Sequence, residues 1–239
     1  MTLVSPKITV AMITMNEEAA IAKVIDDIKK YVPDAEILIV DSSKDQTPQI
    51  AEKLGARVIR QFPPRGYGPA MDLALRSGRG EVVITMDCDD TYPSEDIPRF
   101  AQLVLQENWD LVDGSRLRSK PEAMPWLNYI ANFGFALLAS ILFLTRVTDL
   151  HSGMRAYRKS MIDRLRYRAQ GAALPVELLL RPLKEGYKVK LEYIDYRERK
   201  GVSTMRPLES AWWTIKRIWD VRFGSKASIP SVALEKFNE

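Results

Sequence analysis

The sequence predicts an α/β fold built around a parallel sheet. Short β-branched runs alternate with helical patterns through the first half of the chain, which is the rhythm of βαβ units. The helical stretches are one-sided, as in Ile21, Val24, Ile25 and Ile28. Several apolar runs also end directly on carboxylates, most plainly at Asp41 and at Asp87-Cys88-Asp89.

The elements follow in order. Residues 8–14 read as a strand, 17–31 as a helix, and 37–40 as a second strand ending at Asp41. Thr47 followed by Pro48 predicts an N-cap with proline at the first helical position, opening a helix to Leu54. Residues 57–60 form a short strand, 61–69 a loop and 70–76 a helix. The nearly continuous apolar run 81–86 predicts a central strand, followed by a helix capped by Ser94 that reaches about residue 107. Residues 111–113 are the next strand.

Beyond Gly114 the rhythm changes: helix 125–144, strand 155–157, helices 159–168 and 176–185, strand 188–196, a basic loop 197–206, and helix 207–223. On a helical wheel of the last, Leu208, Ala211, Trp212, Ile215, Ile218 and Trp219 share one side, with Glu209, Lys216, Arg217 and Asp220 opposite. Residues 1–206 are read as one domain, and 207–239 as an amphipathic helix and loose tail.

Composition narrows the chemistry. Among 239 residues there is one His, His151, and one Cys, Cys88. That excludes a disulfide framework, a cysteine-rich zinc site and any site needing two histidines. Charge is divided. Residues 1–113 carry 12 basic against 19 acidic residues, a net of −7, and residues 114–239 carry 23 against 12, a net of +11. The acidic half suits a divalent metal and the basic half suits phosphate or an anionic surface. No nucleic-acid motif accompanies the basic charge.

Asp87 and Asp89 flank Cys88 in a turn after an apolar strand, where ligands of open α/β sheets bind. Two carboxylates at i and i+2 there suit one hard cation, Mg²⁺ or Mn²⁺, bridging to phosphate oxygens. Glu17, Asp41 and Asp113 end other strands, an acidic rim for a ribose and base. Taken singly, Glu17 and Asp41 are equally a helix-start acid and a turn residue. Gly66 and Gly68 precede a helix and lack the GK[ST] of a Walker loop.

The order and spacing of MNEE, DSSKDQT, RGYGPA, DCDDTYP, DGSR and DLHSGMRAYR resembles family 2 glycosyltransferases. The likeness is greatest to the branch of dolichol-phosphate mannose synthases and polyprenyl-phosphate sugar transferases, and it covers about residues 7–206. The resemblance implies a GT-A fold, a Rossmann-like mixed, mostly parallel sheet flanked by helices. It also implies a nucleotide-diphosphate sugar donor, GDP- or UDP-linked, Mg²⁺ or Mn²⁺, and inversion at the anomeric carbon. By this resemblance Asp87, Asp89 and Thr91 hold the metal, and Asp87, Asp89 and Arg116 are the catalytic set. Ile13, Met15, Glu17, Asp41, Gly68, Asp87, Cys88 and Asp89 bind the nucleotide sugar. Arg116, Ser152, Arg155, Arg199, Ser203, Thr204 and Arg206 bind acceptor or phosphates. Ile13 and Met15 replace the Pro and Tyr usual in relatives, and His151 stands where Pro is frequent.

A lipid phosphate is already an anion near pH 7 and attacks a sugar without a general base. The scarcity of His and Cys then fits a site that positions anions and screens their repulsion. An alcohol acceptor would want a carboxylate base, for which Asp149 and Asp113 are the candidates. His151 is read as a hydrogen-bonding loop residue. The expected reaction is transfer of mannose or glucose to polyprenyl or dolichyl phosphate. The alternatives are a soluble acceptor, a nucleotidyltransferase, or a nucleotide-binding subunit without catalysis.

Helices 125–144 and 207–223 are expected to pack a core stripe. The competing reading is an interfacial anchor, from Trp126, Tyr129, Trp212, Trp213 and Trp219 with flanking Lys216, Arg217 and Arg222. The apolar run 131–144 reaches about 21 Å as a helix, short of the ~30 Å hydrocarbon core. The first fifteen residues lack a signal-peptide pattern, and the lone Cys fits a reducing compartment. Together these predict a cytoplasmic protein, peripheral on the cytoplasmic face of a membrane, with a membrane partner subunit as a further expectation.

Overall fold

The computed structural model describes residues 7–122, 124–197 and 207–224. Seven strands form one sheet: β1 (Ile8–Thr14), β2 (Glu36–Asp41), β3 (Arg57–Arg60), β4 (Val82–Thr85), β5 (Leu111–Ser115), β6 (Arg155–Arg158) and β7 (Val189–Tyr193). Their order is β3-β2-β1-β4-β6-β5-β7. All neighbours pair in parallel except β6, which runs antiparallel to β4 and β5. The sheet is therefore mixed and mostly parallel.

Eight helices flank it: α1 (Ile21–Tyr31), α2 (Thr47–Lys53), α3 (Tyr67–Ser77), α4 (Ile97–Leu105), α5 (Trp126–Phe143), α6 (Lys159–Arg164), α7 (Leu174–Lys184) and α8 (Pro207–Phe223). The apolar strands are covered on both faces, as parallel strands require. Val10 and Met12 of β1 join one core layer with α1 and α4, whereas Ala11 and Ile13 join the other with α3 and α7. That alternation is the period of two of a strand.

Local chemistry moves some boundaries. The first helix begins at Ile21 rather than residue 17, because Asn16 turns the chain with φ 62° and the Glu17 amide donates to Thr47 Oγ1. Thr47 is itself the first helical residue rather than the cap, and its amide and hydroxyl both donate to Asp45 Oδ1. The third helix starts at Tyr67, ahead of the expected residue 70. Gly66 at φ +93° reverses the chain there, and Pro69 is tolerated in a first turn.

The expectation that both apolar helices pack a core stripe holds in part: Ala139 of α5 and Ile218 and Val221 of α8 join the core, with Phe135, Leu138 and Leu142 packed against it. On α8 the buried side chains are Thr214, Ile218 and Val221, while Trp212, Ile215 and Trp219 of the predicted inner stripe face outward with Trp213 and Phe223. α5 buries only Ala136 and Ala139, and leaves Trp126, Leu127, Ile130, Phe133, Leu137 and Ile141 exposed at three- and four-residue spacing. Among the described residues it is the one helix long and apolar enough to cross a membrane. α5 and α8 lie side by side, with Arg222 Nε donating to Leu142 O at 2.7 Å.

The strand order reverses its progression at β1 and β4, which is where open α/β sheets bind ligands, beyond the strand C-termini. Because β6 is antiparallel, its entry at Ser152–Arg155 reaches the same edge as the ends of β1, β2, β4 and β5.

Candidate active site

At the end of β4 the chain runs into Asp87-Cys88-Asp89-Asp90. Cys88 packs in the core. Burial pushes the Cys88 thiol well up, and Glu17, Asp89, Asp87 and Asp41 all act in the same sense. The thiol therefore stays protonated. Asp89 is buried and its Oδ1 accepts the Thr91 hydroxyl at 2.6 Å and the Thr91 amide at 3.2 Å. Thr91, expected as a direct metal ligand, orients Asp89 from the protein side. Asp87 lies against Gly153, where an added Cβ would sit 3.0 Å from its Oδ1. Asp90, at φ 65°, is pinned by Lys23 Nζ at 2.6 Å.

The neighbouring corner is organised around Asp41, which is fully buried. Its carboxylate accepts Thr14 Oγ1 at 2.7 Å, Ser43 Oγ at 2.6 Å and the Ser43 amide at 3.0 Å, and pairs with Arg60. Asn16 donates its amide to Ser43 Oγ and accepts the Lys44 amide, both within 2.9 Å. MNEE and DSSKDQT are therefore stitched into one surface at the ends of β1 and β2. Glu17 is half-buried on it, Ile13 half-buried beneath it, and Met15 exposed.

At the end of β5, Arg116 forms a two-point pair with Asp149, Nε to Oδ2 at 2.7 Å and NH2 to Oδ1 at 3.0 Å. The Arg116 amide adds a third contact to Oδ2 at 3.2 Å. Its guanidinium lies over the Tyr196 ring, which meets Tyr92 edge-on. Tyr92 Oη accepts the Gly153 amide at 2.7 Å, closing a circuit back to Asp87. Burial would raise the Asp149 carboxyl, but Arg116 and His151 outweigh it and hold it at about 2. Asp149 is thus a permanent anion committed to Arg116, not a general base.

His151 follows at once. Its amide donates to Asp149 Oδ1 at 3.0 Å, its Nδ1 meets Asn132 Oδ1 of α5 at 3.1 Å, and its Nε2 meets Thr214 Oγ1 of α8 at 2.9 Å. The ring stands edge-on to Phe135. Burial, with Arg116 and Arg155 nearby, pushes the imidazole down to about 4 despite Asp149.

Other expected residues take structural positions. Arg155, nominated for phosphate, is buried, with Nε on Asp113 at 2.6 Å, NH1 on Pro175 O, and NH2 on Asp149 O and Leu150 O. Its guanidinium is spent inside the fold, and Asp113 is taken up as its partner rather than standing as a base. Ser152 is buried in a turn, its hydroxyl shared with Met154 N and O. Gly68 has no room for a Cβ because Ala169 O would lie 2.7 Å away, so what presses on it is protein backbone. Arg199, Ser203, Thr204 and Arg206 lie outside the described residues; the segment leading to them is anchored at Arg197, whose amide donates to Thr91 O at 3.0 Å and which pairs with Glu95.

Among the described residues no three His, Cys, Asp or Glu side chains could hold a metal by themselves. The donor set fits Mg²⁺ or Mn²⁺ nonetheless, since such ions commonly take one or two carboxylates and complete their shell with substrate phosphates and water. Asp87 and Asp89 are the two carboxylates that would supply such ligands. Sequence reasoning missed Arg60, which a search for basic residues at strand ends would have found, and the Asp149–Arg116 pair, which joins residues 33 apart.

Comparison with known proteins bears on this geometry. Residues 9–166 match the profile of glycosyl transferase family 2. A dolichyl-phosphate hexose transferase of Haloferax volcanii is 43% identical over 201 residues, covering 84% of this chain and 87% of the relative. A UDP-N-acetylglucosamine–dolichyl-phosphate N-acetylglucosaminyltransferase of Methanococcus voltae is 25% identical, covering 80% and 87%. Among solved structures, glucosyl-3-phosphoglycerate synthase of Mycobacterium tuberculosis, crystallised with Mn²⁺, UDP and glucosyl-3-phosphoglycerate, superposes with a TM-score of 0.73. It is 23% identical, and the match covers 91% of this chain and 80% of that one.

Proposed function

The chain belongs to glycosyl transferase family 2, and we propose that it transfers a hexose from a nucleotide-diphosphate sugar to polyprenyl or dolichyl phosphate at a membrane surface. The observation that carries the lipid acceptor is the pair of adjacent helices, α5 and α8, which expose large apolar side chains and whose Asn132 and Thr214 are joined through His151 to Asp149, the partner of Arg116. The 43% identical relative is named for the same class of acceptor.

In this reading the rim of Glu17, Asp41 with Arg60, Asp87 and Asp89 receives the nucleotide diphosphate. Asp87 and Asp89 hold Mg²⁺ or Mn²⁺, which when bound screens the diphosphate charge and stabilises it as a leaving group. Arg116, held by Asp149 and Tyr196, orients the acceptor phosphate. A phosphate oxygen bonds to the anomeric carbon from the face opposite the diphosphate. The bond to the diphosphate breaks, and the configuration inverts. No proton need be removed, in keeping with Asp149 and Asp113 both bound to arginines.

For the membrane contact the occupant is an anionic leaflet. Lys120 lies over Trp126, Lys216 over Trp213 and Arg222 over Phe223, so exposed rings carry cations beside them. Aromatic rings with flanking Lys and Arg suit the boundary between headgroups and acyl chains. The face is that exposed to cytoplasmic nucleotide sugars.

The test supplies labelled GDP-mannose and UDP-glucose with Mn²⁺, with and without polyprenyl phosphate in vesicles. Label entering the organic phase only with the lipid is the expected outcome. Transfer to 3-phosphoglycerate or another soluble acceptor alone would replace the lipid reading.

A further inference from the structure

His151 is the point at which the two exposed helices meet the strand-end machinery. Its ring bridges α5 and α8 through Asn132 and Thr214, while its amide holds Asp149, the residue that orients Arg116. Asn132 Nδ2 faces Met124 Sδ at 3.9 Å, which leaves Asn132 Oδ1 for the ring. Nδ1 lies within hydrogen-bond distance of Asn132 Oδ1 and Nε2 within hydrogen-bond distance of Thr214 Oγ1. Both ring nitrogens are thus engaged, one by each helix.

Among the described residues two hydrogen-bonded ties join α5 to α8: Asn132–His151–Thr214, and Leu142–Arg222. They lie ten residues apart along α5 and eight along α8, in the same chain direction. Only the first reaches Asp149. A shift of α8 relative to α5 at that tie must either break a ring contact or move residues 149–151. The groups facing the ring from the packed elements are Asn132 and Phe135 on α5, Thr214 on α8, and Asp149, Arg116 and Arg155 at the strand ends.

We propose that His151 is a positioning residue that links the seating of α5 and α8 on a lipid surface to the register of Arg116 at the acceptor phosphate. The proposal rests on the lipid-acceptor reading above for its kinetic consequence, and on geometry alone for the link itself. The link predicts that vesicles favour the ordered Arg116–Asp149 arrangement, so that acceptor capture and helix docking are one event.

The experiment uses the full chain carrying Thr214→Val, which removes only the hydroxyl, and His151→Phe, which keeps the ring beside Phe135. Hydrogen exchange reads the link directly, because the Arg116 and His151 amides both donate to Asp149. Both variants should exchange these amides about tenfold faster, with the central strands unchanged. In the transfer assay both should raise KM for polyprenyl phosphate about tenfold and leave the donor KM unchanged. The double variant should be no worse than His151→Phe, since the two changes break one tie.

Unchanged exchange at Arg116 and His151 would overturn the link. Faster exchange with wild-type acceptor kinetics, or equal losses toward donor and acceptor, would overturn its positioning role. If the wild-type protein glycosylates only a soluble acceptor, the lipid reading fails separately. The same KM split, measured with that acceptor, then still decides His151.

Discussion

Asp149 grips Arg116 at two parallel points, 2.7 and 3.0 Å, at the end of β5, and the carboxylate is entirely buried. A fork held in this way presents its remaining N–H groups in one direction, which is what recognition of a phosphate requires. Arg116→Lys keeps the charge but loses the fork. It should lower kcat/KM for the acceptor by about 100-fold, roughly 2.7 kcal/mol of transition-state stabilisation. Asp149→Asn should lower it similarly. It should also destabilise the fold by about 3 kcal/mol, because a buried arginine loses its counter-ion. Steady-state kinetics and urea melts check both. Wild-type kcat/KM in Arg116→Lys would remove Arg116 from the acceptor site.

Thr91 bonds Asp89 Oδ1 through both its hydroxyl and its amide, and so fixes the orientation of that carboxylate. Removing such an orienting group commonly costs about 10–100-fold in metal affinity. Thr91→Val should therefore raise the Mn²⁺ concentration for half-maximal activity by about tenfold, with kcat recovered at saturating Mn²⁺. Asp89→Ala should abolish the metal dependence together with activity. Undiminished Mn²⁺-dependent turnover in Asp89→Ala would mean that the metal sits elsewhere.

The Asp41 corner yields a prediction about the donor alone. Arg60 is the one cation paired with the buried Asp41 carboxylate among the described residues, and it also donates to Ser43 O at 2.9 Å. Arg60→Met leaves that carboxylate uncompensated and loosens the loop carrying Ser43 and Lys44. The Arg60 side chain is partly exposed, so the stability loss should be about 2 kcal/mol, below that for a fully buried pair. Donor KM should rise at least tenfold and acceptor KM stay the same. Equal donor KM in wild type and variant would detach this corner from nucleotide binding.

The sheet was legible because its signal is local. A β-branched run bounded by a turn reads as a strand whatever it pairs with, and all seven strands lie where the pattern puts them. The acidic rim was legible for the same reason, since Glu17, Asp41, Asp87 and Asp89 each end a strand. The antiparallel β6 was not, because pairing direction depends on where the connection travels. The fate of arginines was equally hidden. Arg116 and Arg155 look alike in sequence, yet one stacks on Tyr196 at the sheet edge while the other spends its donors on Asp113 and three carbonyls. The wheel of α8 misled because an apolar stripe marks a face that leaves water, not the surface that receives it.

The histidine has a pH signature with a definite sign. Its folded pKa of about 4 lies below the ordinary 6.5, so between those values the unfolded chain holds a proton that the folded chain does not. The histidine's contribution to stability should therefore be complete above about pH 6.5 and fall as pH drops toward 4, by about 2–3 kcal/mol. Asp113, pushed up to about 6 by burial, acts in the opposite sense over the same range. Asp149 contributes only lower, since its stabilisation is lost as pH falls through about 2. The difference between wild type and His151→Phe in urea melts at pH 7.5 and pH 5 isolates the histidine. An equal pH slope in the two proteins would mean that the imidazole is not held neutral.

The exposed helices give the last prediction. Trp212, Trp213 and Trp219 stand on α8 at 64%, 48% and 59% exposure, beside a buried line of Thr214, Ile218 and Val221. Replacing all three with Ser leaves that inner line intact, so the fold should hold while vesicle binding falls. Burying apolar surface is worth about 25 cal/mol per Å², and a tryptophan offers roughly 200 Å². Partial insertion of three rings then accounts for several kcal/mol, enough to lower flotation with anionic vesicles by at least 100-fold. Added salt should weaken wild-type binding by screening the Lys and Arg beside the rings, and should weaken the variant proportionately. Flotation unchanged by the triple substitution would remove α8 from the membrane contact and leave α5 as the surface to test.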